Sequence, residues 1–197
     1  MKIHKRTQWF ADNFPIIYEA ISDTLTVKET KDGFVLHYLV QDDMAESPSD
    51  CDDNNLFLAH YHRNCWIPND IISKDDLRNW YQDEPIPQQE KYHIFPVSAL
   101  IHSGVHLYLG KGTSPWDSGG WDTSHVGAIL AAKSEWSNEK DAEKCAEGLV
   151  ETWNQYLNGE VYGIIKETFD KDKKPIEEEA VWGNYGTDYA LKALKEL

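Results

Sequence analysis

The chain has 197 residues, 41% hydrophobic and 12% aromatic, enough to build one globular domain with a sizeable core. Its 34 acidic and 19 basic residues leave a formal net charge of −15; such a field repels phosphate backbones and anionic membranes, so neither nucleic acid nor membrane is an expected partner. No apolar run approaches the roughly 20 residues of a membrane span, no apolar run follows the N-terminal MKIHKRTQWFADNF, and Cys51, Cys65 and Cys145 have no CxxC spacing, so the expected compartment is the cytoplasm, without a disulfide framework.

Residues 7–22 read as a short helix interrupted near Pro15. Leu25 and Val27 alternate with polar residues, Lys31-Asp32-Gly33 supplies a turn, and Val35 to Val40 is rich in strand formers. This is the clearest hairpin in the chain. Residues 41–55 read as a loop with six acids and no base. Residues 56–62 are apolar enough for a strand, and 74–82 for a short helix capped by Ser73. Residues 83–90 connect to two strands, KYHIFPVSALI and VHLYLG, separated by His102-Ser103-Gly104; Pro96 predicts an edge or a bulge in the first.

Residues 110–125 form a Gly-rich loop, and VGAILAA follows as a buried strand. The spacing predicts an amphipathic helix over 137–157, capped by Ser137 and ended by Asn158-Gly159. Its apolar positions are Ala142, Cys145, Ala146, Leu149, Val150, Trp153, Tyr156 and Leu157, which places Cys145 in the core. VYGIIKETF and IEEEAVWG read as strands around a KDKKP turn, and Thr187 or Asp188 opens a C-terminal helix. Strands and helices mix without βαβ alternation, so the expected class is α+β, mainly antiparallel sheet with both helices packed on it. There is no internal repeat. The expectation is one domain, 1–197, with room for an N-terminal lobe 1–90 and a core 91–197.

No catalytic motif stands out. His60 and His62 share a strand face, Cys65 follows, and His102, His106 and His125 complete a set that a zinc hydrolase could draw on, although no spacing matches a zinc signature. Gly110-Lys111-Gly112-Thr113 lacks the spacing of a phosphate loop, and the 42–53 acids lack the glycine and glutamate of a calcium loop. No catalytic residue, cofactor or metal is expected.

Charge gives the sharper pattern. Asp42, Asp43, Asp50, Asp52 and Asp53 crowd one loop, and Glu135, Glu139, Glu143, Glu147 and Glu151 recur every four residues along the predicted helix. Four residues rise about 6 Å along a helix axis. A stripe of carboxylates at that pitch imitates a row of phosphates, and such a surface binds the basic DNA cleft of a nucleic-acid enzyme. The plainer reading is a solvated helix face in which Lys140 and Lys144 pair with Glu139 and Glu143.

His102-Ser103-Gly104-Val105, Trp116-Asp117-Ser118-Gly119, His125-Val126-Gly127, the run from Trp153 to Gly163 and Trp182 to Gly186 together resemble a family of small proteins of bacteriophages and mobile elements. The resemblance covers residues 102–189 and brings no catalytic residues. Physically, its Gly, Trp and Tyr motifs read as tight turns and packed rings. It implies a phage-type origin and action against a host defence enzyme of the restriction or CRISPR kind. The expected function is therefore an acidic inhibitor that binds a host nuclease, with a metal-dependent hydrolase or a structural or regulatory phage protein as alternatives.

Overall fold

The computed structural model describes residues 9–10, 12–21, 23–50, 56–60, 73–80, 85, 89–114 and 117–197. The chain is of the α+β class and mainly antiparallel sheet, with a long amphipathic helix and a C-terminal helix. Its contacts gather into two compact units, one from residues 1–45 and 159–197 and one from 46–158. Residue 90 falls inside the second of these.

The first unit holds the expected hairpin, β1 (Thr26–Glu29) and β2 (Gly33–Gln41), together with β7 (Val161–Asp170) and β8 (Pro175–Tyr185). The strand order is β1-β2-β7-β8, antiparallel throughout. Leu36, Tyr38, Val40, Ile165 and Phe169 meet Phe10 and Phe14 of the N-terminal segment on one face. On the other, Leu39, Tyr162 and Ile164 meet Ala190 and Leu194 of the C-terminal helix α3 (Thr187–Lys195).

Two of the aromatic-glycine motifs belong here, and they act as turns and packing sites. A Cβ on Gly163 would lie 2.5 Å from the Trp182 ring and 2.9 Å from Val40, so only glycine lets that ring close over β7. Gly186 caps α3 at a left-handed φ of 89°, a region that other residues reach only with strain.

The second unit contains β3 (Leu56–His60), α1 (Lys74–Trp80), β4 (Tyr92–Ile101), β5 (Val105–Leu109), β6 (Thr123–Ala132) and α2 (Glu139–Leu157). Its sheet runs β3-β6-β4-β5. β6 begins at Thr123, three residues before the expected strand. α2 lays Ala142, Ala146, Val150 and Trp153 against Leu58, Val97, Leu107 and Ile129. On the opposite face Leu77 of α1 joins Ala59, Ala128 and Leu130.

β4 is an interior strand, yet it carries Pro96. The Pro96 carbonyl accepts from the Gly110 N–H at 2.7 Å, just past the end of β5. Its ring nitrogen faces the same side, and the Gly110 carbonyl that a Pro96 N–H would have served accepts from the Ser98 hydroxyl at 2.6 Å instead, so the proline leaves no acceptor unpaired. The expected bulge lies beside it, between Val97 and Ser98.

Candidate functional site

α2 carries the carboxylate stripe. Asn138, not Ser137, is its N-cap; the Asn138 side chain accepts from the Lys140 N–H at 3.0 Å. Glu139 and Asp141 occupy the first turn, where the helix dipole favours negative charge. The helix ends at Asn158, followed by Gly159 at φ 70°. Cys145 is exposed, contrary to the sequence reading. At about 100° per residue it falls well outside the arc defined by Ala142, Ala146, Val150 and Trp153.

A second anchor fixes the helix to the sheet edge. Asn154 Oδ1 accepts from the Leu107 N–H at 2.7 Å, and Asn154 Nδ2 donates to the Leu107 carbonyl at 2.9 Å. One side-chain amide thus satisfies both outward main-chain groups of an edge-strand residue.

Glu139, Glu143, Glu147 and Glu151 are all exposed on α2, and Glu135 is exposed in the preceding turn. Four residues overshoot one helical turn by about 40°, so the stripe winds around α2 as it climbs. Neither Lys140 nor Lys144 comes within 4 Å of an α2 carboxylate. The expected neutralising pairs are not formed, and the stripe presents its negative charge to solvent.

The second acidic group, the 42–53 loop, divides. Asp42 and Asp43 belong to the first unit. Asp42 Oδ1 accepts from the Met44 N–H at 3.2 Å and Oδ2 from the Gly183 N–H at 3.1 Å, so this carboxylate pins the loop to β8. Asp43 is exposed. Asp50 belongs to the second unit and closes a short 3-10 turn, Pro48–Asp50. Asp52 and Asp53 lie outside the described residues.

His62 and Cys65 also lie outside the described residues. His60 pairs with Gly127, which pairs with Val97, so it points to the α2 face of the sheet. The bulge turns His125 onto the opposite face with Ser98, and His106, paired with Leu100, shares that face two strands away. Among the described residues no three His, Cys, Asp or Glu side chains converge to hold a metal ion.

Ser98, Asp117 and Glu167 organise three polar centres to which the sequence reading assigned no role. The Ser98 hydroxyl donates to the Gly110 carbonyl at 2.6 Å and lies 2.9 Å from His125 Nδ1. Asp117 organises the following loop. Its Oδ2 accepts from the Asp122 N–H and the Thr123 hydroxyl, each at 2.9 Å, and its Oδ1 from the Trp121 N–H at 3.2 Å. Burial pushes the Asp117 carboxyl up, but the Thr123 hydroxyl and these N–H donors together hold it below its usual value. The third centre is Glu167, 1% exposed in the core of the first unit. The alternation of β7 could have found it: Val161, Gly163, Ile165, Glu167 and Phe169 are in phase, and four of the five are apolar or glycine.

Compared with known proteins, the chain matches no family model, no curated protein and no solved structure. No described helix is long and apolar enough to cross a membrane.

Proposed function

We propose that the protein is an acidic, phage-type inhibitor that binds a basic, DNA-holding surface of a host defence nuclease through α2. One observation supports the reading most: Glu139, Glu143, Glu147 and Glu151 on α2, with Glu135 just before it, stand exposed and, among the described residues, without ion pairs, on a helix held by Trp153 and Asn154. Like charges at this spacing cost an isolated helix about 0.2–0.5 kcal/mol per neighbouring pair. A cationic partner converts that repulsion into attraction, steers the encounter from a distance and makes it weaken with salt.

The contact surface is α2 with Glu135. Asp42 is occupied within its own unit, and Asp43 is exposed there. The test is a pull-down from a bacterial host lysate at low and high salt, with wild type and a Glu139→Lys/Glu143→Lys/Glu147→Lys variant. Salt-sensitive capture of a nuclease by wild type, and loss of capture by a variant with an unchanged circular dichroism spectrum, support the proposal. Capture that survives the triple reversal removes α2 as the contact surface.

A further inference from the structure

The sheet of the first unit ends on β8, and among the described residues no strand lies beyond it. The phase of its hydrogen bonds follows from β7. The Asp42 N–H donates to the Val161 carbonyl at 2.9 Å on the β2 side, and the Asn184 side chain donates to the Tyr162 carbonyl at 3.0 Å on the β8 side. Backbone groups alternate sides along a strand, so Ile164, Lys166 and Thr168 face β8 as Tyr162 does. Their partners are Val181, Glu179 and Glu177. Glu178 and Ala180, which lie between those partners, therefore turn their N–H and carbonyl groups away from the sheet.

Side chains alternate along the same edge. Val181, 61% exposed, lies on the α3 side with Glu179 and Glu177, because its partner Ile164 packs with α3. Glu178 and Ala180 lie on the other side, where Trp182, 44% exposed, closes over Gly163. Glu177, Glu178 and Glu179 are all exposed. Lys166 Nζ holds Glu179 at 2.7 Å, and Glu177 and Glu178 stand one on each side of the edge.

We propose that the outer edge of β8 binds an extended, basic segment of a partner protein, which joins the sheet as an antiparallel strand. Glu178 and Ala180 exchange main-chain hydrogen bonds with it, its apolar side chains cover Val181 and Trp182, and its Lys or Arg side chains lie opposite Glu177 and Glu178. Main-chain bonds give such a strand its affinity and the flanking side chains give it specificity. Opposite charges across a strand pair stabilise it and like charges directly opposite destabilise it. The glutamates therefore favour a basic segment, and they oppose a second copy: antiparallel pairing of two β8 edges about Glu178 or Glu179 sets glutamates against one another. The inference goes beyond the α2 proposal and does not depend on it, since every residue it uses lies in the first unit.

The experiment is an amide NMR titration of the full chain with two synthetic peptides, Ac-Ile-Val-Thr-Thr-Arg-Lys-NH2 and Ac-Ile-Val-Thr-Thr-Glu-Glu-NH2. The first is written to lie antiparallel to β8, with its Arg opposite Glu178 and its Lys opposite Glu177. It should shift the Glu178 and Ala180 amides saturably and slow their hydrogen exchange, and the acidic peptide should do neither. N-methylation of its third and fifth residues, whose N–H groups meet β8, should abolish binding; N-methylation of the fourth and sixth, whose N–H groups point away, should preserve it. Charge is the same in the two methylated peptides, so the contrast separates strand addition from plain attraction. A Glu177→Lys/Glu178→Lys variant should bind the basic peptide about tenfold more weakly and gain a response to the acidic one. The swap of preference is a gain that misfolding could not produce. The Glu139→Lys/Glu143→Lys/Glu147→Lys variant should titrate at these amides as wild type does. Equal responses to the two peptides, binding that survives methylation of the third and fifth residues, or an unchanged preference in the reversed variant would overturn the proposal. So would concentration-dependent broadening of the Glu178 and Ala180 amides without peptide, because a second copy would then fill the edge.

Discussion

The Tyr38 hydroxyl donates to Glu167 Oε2 at 2.8 Å inside the core of the first unit, and the Ile17 N–H donates to Oε1 at 3.1 Å. One carboxyl group on β7 therefore holds a residue of β2 and a residue of the N-terminal segment. Two donors on two oxygens make a buried carboxyl tolerable.

That arrangement predicts a stability that depends on pH. Burial pushes the Glu167 carboxyl above its usual value; the Tyr38 and Ile17 donors oppose this in part, and the Glu178 charge adds to it. Above the ordinary carboxylate value the unfolded chain gives up this proton while the folded chain keeps it. The contribution is complete below that ordinary value and is lost as pH rises through the folded one. In Glu167→Gln the amide oxygen accepts from Ile17 and the amide nitrogen donates to the Tyr38 oxygen, with nothing to titrate. Urea midpoints between about pH 5 and pH 8 should fall less in Glu167→Gln than in wild type. Tyr38→Phe, which strips one oxygen of its donor, should cost about 1–3 kcal/mol. Parallel pH profiles for wild type and Glu167→Gln would remove Glu167 as the source of the dependence.

The Asn154 amide predicts a different failure. β5 is the edge of its sheet, and at Leu107 both outward backbone groups are satisfied by this one side chain. Asn154→Ala should lower the unfolding free energy by about 1–3 kcal/mol, because a partly buried N–H and carbonyl lose their partners together. An uncovered edge also invites strand pairing with another chain. Light scattering should therefore show concentration-dependent association in Asn154→Ala that Asn154→Asp, which keeps the acceptor for the Leu107 N–H, shows less. Wild-type stability in Asn154→Ala would mean that water replaces the amide at no cost.

Local patterns carried a good part of this fold, and the misses share one cause. The β1-β2 hairpin, α2 and the C-terminal helix lie where alternation, three- and four-residue spacing and turn residues placed them. The pairing of β2 with β7, Tyr38 opposite Ile165, joins residues far apart in sequence, and no local signal announces it. The two-unit division follows from that pairing, since it brings 1–45 and 159–197 together. Cys145 looked apolar by type and spacing, but the sheet accepts only a narrow arc of α2. The exposure of the Glu stripe was legible; the absence of its Lys140 and Lys144 pairs depends on side-chain geometry that spacing does not determine. His125 shows the same limit, because one bulge residue decides which face of the sheet it joins.

That bulge supports the last prediction. The Ser98 hydroxyl gives its proton to the Gly110 carbonyl at 2.6 Å, so its contact with His125 Nδ1 at 2.9 Å requires the ring to donate. Neutral His125 therefore carries its proton on Nδ1 and leaves Nε2 as the basic nitrogen. Burial lowers its pKa below 6.5, and the Lys111 charge lowers it further. As pH falls, the unfolded chain takes up this proton before the folded chain does, so stability is lost on going below the ordinary histidine value. Long-range proton–nitrogen spectra should show the Nδ1–H tautomer and a titration midpoint below 6.5. Lys111→Met should raise that midpoint and reduce the loss of stability between about pH 7 and pH 5. Ser98→Ala removes the acceptor, and the ring should shift towards the Nε2–H tautomer that free histidine prefers. An Nε2–H tautomer in wild type would show instead that Ser98 donates to the ring, which would reverse the hydrogen bond and free the Gly110 carbonyl.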